Sequence, residues 1–167
     1  MYKFPKIFNP SVIFFLLLAV SLPYASVQSR FEAGTLHFGG GMGLRGSSQG
    51  AIFSVSASGG VFVLKGLDLG ITTWLQTGGD LPLMFMLTAD TRFIPFPDFY
   101  LTPYIHTAGG RLFTKGDDAW VLSAGGGLLY LTHDIYGIDF GVGYRWFFFP
   151  EEVLDSYYLQ VGLIILF

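Results

Sequence analysis

Two glycine-rich stretches and three histidines are the residues whose spacing could do chemistry. Gly41-Met-Gly43-Leu-Arg-Gly46 has the Gly-x-Gly-x-x-Gly spacing of a dinucleotide-binding turn. That turn works by opening a helix whose N-terminus meets a pyrophosphate. Here the stretch reads as one strand running into a hairpin, with no helical pattern after it. Gly46-Ser-Ser48-Gln-Gly50 has the spacing of a nucleophile elbow, which needs a strand–turn–helix context. The same hairpin removes it, and with 23 glycines in the chain such matches arise by chance. His37, His106 and His133 are followed by Phe-Gly, Thr-Ala and Asp-Ile, so none offers a His-x-Ser pair. The chain has no cysteine, which excludes disulfides and zinc–thiolate sites. No catalytic residue, metal or cofactor is expected, and His37 and His106 read as interior hydrogen-bonding groups.

The elements that position these residues are strands, because apolar side chains recur at every second residue. From Ile138 one parity reads Ile138, Phe140, Val142, Tyr144, Trp146, Phe148, and the other Gly137, Asp139, Gly141, Gly143, Arg145, Phe147. Successive strand residues point to opposite faces. One face is therefore large and apolar, the other small or charged. Leu83, Phe85, Leu87 and Ala89 likewise oppose Met84, Met86, Thr88, Asp90 and Arg92. Eight such segments are expected, near 33–44, 51–64, 67–76, 82–92, 100–112, 120–132, 137–148 and 156–167. The second is ambiguous after Gly59-Gly60, where a bulge would switch its parity. Within strands, Asp68, Asp90, Arg92, Asp139 and Arg145 all fall on the small or polar parity. An Arg facing lipid at the bilayer midplane costs about 2–4 kcal/mol, so the apolar parity is the one expected to meet lipid. A soluble barrel would need the reverse arrangement.

Composition agrees. Only 13% of the 167 residues are charged, against about 25% in soluble domains. The net charge of -3 argues against a nucleic-acid partner. Lys3 and Lys6 precede an apolar run from Val12 to Val20, the pattern of a secretory signal. Residues 1–29 are read as that signal, with cleavage after position 25 or 29, and residues 30–167 as one barrel domain. An even number of antiparallel strands suits a closed barrel, which leaves no unpaired edge in lipid. The loops 45–50, 77–81, 113–119 and 150–155 then face outward from the cell. All four are short, which disfavours a surface-adhesion role.

Signal, eight alternating strands and terminal Phe167 together resemble the small eight-stranded bacterial outer-membrane barrels, the OmpA-barrel, OmpX and OmpW class. The resemblance implies location in the outer membrane, contact with its lipid, and insertion by the barrel-assembly machinery. That machinery would read Leu159, Val161, Leu163, Ile165 and Phe167. Inside, Asp68, Asp90, Arg92, Asp139, Arg145, His37 and His106 are expected to form a polar network. Above it, Trp74, Met84, Met86, Val121, Phe147 and Tyr158 would form an apolar vestibule of the OmpW kind. Glycines 39, 41, 43, 125, 127, 141 and 143 share the lumen parity. They either thin the filling into a narrow cavity or permit tight curvature. The expected function is a passive narrow channel or binding barrel for small apolar solutes. The alternatives are a purely structural barrel and, less favoured, a surface-interaction protein.

Overall fold

A computed structural model of the chain describes residues 30–47, 50–78, 81–132 and 135–167. The expected signal segment 1–29, Ser48 of the elbow-like stretch and His133 lie outside the described residues. Eight strands follow one another: β1 (Leu36–Ser47), β2 (Gly50–Leu64), β3 (Leu67–Gly78), β4 (Leu81–Phe93), β5 (Leu101–Phe113), β6 (Ala119–Leu131), β7 (Tyr136–Phe148) and β8 (Val153–Leu166). Each pairs antiparallel with the next, and β8 pairs back onto β1, with Met42 opposite Val161 and His37 opposite Leu166. The sheet is a closed cylinder. The Gly41–Gly46 stretch lies within β1 and leads into β2, so it opens no helix.

Closure follows from the period of two. Leu69, Ile71 and Leu75 are exposed on β3, while Asp68, Trp74 and Gln76 between them are buried. On β8, Tyr157, Leu159, Val161, Leu163 and Phe167 are exposed, while Ser156, Tyr158, Ile164 and Leu166 are buried. At a rise of about 3.3 Å per residue and a tilt of roughly 40°, a strand of 13 residues spans about 30 Å of the barrel axis. That matches the hydrocarbon core of a bilayer, about 30 Å thick. The ambiguous β2 keeps its parity through Gly59-Gly60, since Ile52, Ser54 and Phe62 are all buried. Its register breaks later, between Phe62 and Leu64.

The two rims differ. At the terminal end, Leu36 and Phe167 exchange backbone hydrogen bonds of 3.1 and 2.9 Å. The segment before β1 folds back there and inserts Phe31, which is completely buried. It is strapped on by Gly66 N–H to Phe31 O (2.9 Å) and Gly34 N–H to Phe62 O (2.7 Å). Gly66 has φ of 75°, and a Cβ there would collide with the Ile94 carbonyl. Only glycine allows this turn to sit against both the strap and Ile94. Aromatic side chains border both rims. Tyr144 packs edge-on against Trp146 and Tyr157 toward the far end, and Phe38 meets Phe167 at the terminal end.

Candidate functional site: the barrel interior

The interior is layered. Nearest the terminal end, Phe31, Phe62, Ile94, Leu129, Leu131, Ile164 and Leu166 pack into one apolar cluster with the ring of Tyr104. Nearest the far end, Trp74, Met84, Met86, Leu112, Ala119, Val121 and Phe147 form a second, with Phe149 against it. Between them lies the polar layer. Phe31, Ile94 and Phe149 lie outside the strands, and alternation puts the strand residues among these side chains inside. Their position along each strand then decides the layer.

Arg92 of β4 reaches Asp139 of β7 across the lumen, Nη2 to Oδ2 at 3.5 Å. Tyr104 of β5 donates to the other oxygen of Asp139 at 2.5 Å, and the Arg92 guanidinium lies 4.8 Å from the centre of the Tyr104 ring. Thr72 and Thr88 donate their hydroxyls to Asp90, the latter at 2.9 Å. His37 Nδ1 stands 3.3 Å from Asp68. His106 Nε2 and the Tyr158 hydroxyl share a hydrogen bond of 2.5 Å. The Arg145 guanidinium lies over the rings of Trp74 and Tyr158, 5.0 and 4.6 Å from their centres. The seven network residues named from the sequence lie between the two apolar clusters in separate contacts, and within that set only Arg92 and Asp139 form an Arg–carboxylate pair.

Five of the six expected vestibule residues, Trp74, Met84, Met86, Val121 and Phe147, meet in the far cluster, and none is more than 7% exposed. Tyr158 sits lower, bonded to His106 and stacked on Arg145. Arg45, assigned to a loop in the sequence reading, extends β1 and stacks its guanidinium on Phe147 at 4.8 Å. The sequence places Thr72 and Thr88 on the lumen parity without assigning them to the network, and it leaves out Tyr104, which shares the parity of His106. It also leaves out Phe31, which precedes the first strand and so has no alternation to mark it.

The lumen glycines are occupied space. A Cβ on Gly127 would lie 2.5 Å from the Tyr104 hydroxyl, and one on Gly141 would lie 2.9 Å from it. A Cβ on Gly143 would collide with the Tyr158 hydroxyl, and one on Gly125 would approach His106 to 3.0 Å. Large side chains of one strand thus lie across the glycines of its neighbours. Two cavities of about 50 Å³ remain, both bordered by Ser58, Thr72, Trp74, Arg92 and Gln160. At about 10–15 Å³ per water, each has room for a few water-sized molecules.

No protein-family description and no curated protein matches the chain. Solved structures do. The N-terminal β-barrel domain of Pseudomonas aeruginosa OprF superposes with a TM-score of 0.66 at 11% identity, over 81% of this chain and 98% of that one. Neisserial surface protein A superposes with a TM-score of 0.59 at 16% identity, over 78% of this chain and 95% of that one. The chain has the fold of the small eight-stranded barrels. At these identities the likeness fixes the cylinder and its strand order. The interior layers of this barrel are read from its own residues.

Proposed function

We propose that this chain is an integral protein of the bacterial outer membrane whose cylinder is closed to solutes, its interior serving stability rather than transport. The outward belt supports the membrane reading. Met42, Ile71, Leu83, Ile105, Val142 and Leu163 are all exposed on the barrel wall, a surface that only hydrocarbon suits. The likeness in fold to a Neisserial surface protein and to the OprF barrel supports the same location. The apolar clusters at both ends carry the closed-lumen reading, because buried apolar side chains pack on both sides of the polar layer. On this reading the interior charges are structural, and no catalytic role is assigned. Outer-membrane lipid is the main partner. The exposed Leu159, Val161, Leu163 and Phe167, with Ile165 on the same parity, form the edge that the barrel-assembly machinery would read.

A narrow passage or a binding barrel for small apolar solutes is the second reading. It rests on the two adjoining cavities and requires the Met84, Met86 and Phe147 cluster to part. Planar-bilayer recording of refolded protein separates the two. The closed barrel gives no discrete conductance steps, and binding of a fluorescent apolar probe is the same for wild type and Trp74→Ala. Steady single-channel steps, or probe binding lost with Trp74, would overturn it.

A further inference from the structure

Three guanidiniums (Arg45, Arg92, Arg145) and three carboxylates (Asp68, Asp90, Asp139) reach the lumen among the described residues, but they are not matched one to one. Asp139 is engaged by Tyr104 and Arg92 and Asp90 by two threonine hydroxyls, while Asp68 Oδ1 stands 3.3 Å from His37 Nδ1 with neither atom hydrogen-bonded. Among the guanidiniums, only Arg92 makes an ion pair. Arg145 is 5% exposed and its Nε is buried with no hydrogen-bond partner. Its guanidinium carbon lies over the rings of both Trp74 and Tyr158. Neither ring face supplies an oxygen acceptor to its N–H donors. Arg92 Nη1 is also buried without a partner. Both side chains border the same 50 Å³ cavity, together with Ser123, Thr88 and His106. Arg45 adds a second guanidinium without an ion pair among the described residues, its own Nε unpartnered.

We propose that this cavity is a binding site for a small inorganic anion of halide or nitrate size, held chiefly by Arg145 with Arg92 and Ser123 beside it. A buried guanidinium without a hydrogen-bonded partner is costly, and an anion here supplies an acceptor. Asp68 and Asp90 also border the cavity; Asp90 is turned to the threonines, and Asp68 Oδ1 is an unsatisfied acceptor beside the unsatisfied donors Arg92 Nη1 and Arg145 Nε. The site does not depend on whether the barrel conducts.

Trp74 is the natural reporter, because it stacks directly on Arg145. The full chain carrying Trp120→Phe and Trp146→Phe keeps Trp74 as its single tryptophan. It is refolded into lipid vesicles in bromide, with gluconate holding ionic strength constant. Bromide quenches Trp74 along a saturating curve, and chloride or nitrate reverses the quenching. Arg145→Met weakens the apparent affinity by about tenfold or more, and Arg145→Lys retains saturable quenching. A weak, linear bromide response with no chloride competition marks a cavity holding only water and overturns the proposal. Equal affinity in folded Arg145→Met overturns it as well. If Arg145→Met does not fold, chloride competition in the parent chain decides alone.

Discussion

Tyr104 lies across Gly127 and Gly141 to reach Asp139, and that one side chain accounts for two glycines, a carboxylate and the stacking of Arg92. The interior is built throughout in this way: a large polar or aromatic side chain on one strand fills the space that glycine leaves on the next. The Arg92–Asp139 pair is the exposed flank of this logic. Removing one partner of a buried pair strands the other charge, at a cost of about 3–5 kcal/mol. Arg92→Met is accordingly expected to lower the unfolding free energy in urea and lipid vesicles by that order. Arg92→Met combined with Asp139→Leu should recover most of the loss, because no charge is then left alone. Equal stability of Arg92→Met and wild type would show that the pair is solvated.

At the scale of the strand, the alternation makes a sharper test, since neighbouring positions have opposite environments. Val161 is exposed near the middle of β8, and Val153 is exposed at its far end. An arginine in place of Val161 should cost about 2–4 kcal/mol, and one in place of Val153 at most about 1 kcal/mol. Equal costs at the two positions, read from folding titrations in vesicles, would contradict a hydrocarbon-facing β8. β7 and β8 were legible in the sequence for the reason this test exploits, an unbroken period of two with charge confined to one parity. Their structural bounds differ from the sequence reading by at most three residues. The loops were less legible. Arg45 reads as a turn residue beside Gly46, yet the strand continues past it and its side chain turns onto Phe147. Alternation assigns a face and says nothing of which inward side chains meet across the lumen. That is why the seven interior residues were named but their pairing was not.

On the proposed reading the whole cylinder is shut at both ends by packing that is not continuous in sequence. Phe31 closes the terminal end through a strap held by backbone hydrogen bonds from Gly66 and Gly34. Phe31→Ala removes a fully buried ring, a change that costs about 3–5 kcal/mol in well-packed cores. Its expected signature is loss of amide-exchange protection at Gly66 and Gly34 with the strand ladders still protected. The variant should stay non-conducting, because the Met and Phe cluster at the far end is untouched. Conductance in this single variant would show that the far cluster does not seal.

Sidedness underlies every one of these expectations, and a cysteine-free chain tests it cleanly. Single cysteines placed in turn from Ser156 to Ile165 can carry nitroxide labels in refolded, vesicle-embedded protein. Positions 157, 159, 161, 163 and 165 should be accessible to oxygen dissolved in hydrocarbon and shielded from a water-soluble nickel complex. Positions 156, 158, 160, 162 and 164 should be shielded from both. Odd positions open to the nickel complex, or no period of two at all, would contradict a barrel that turns its apolar face to lipid.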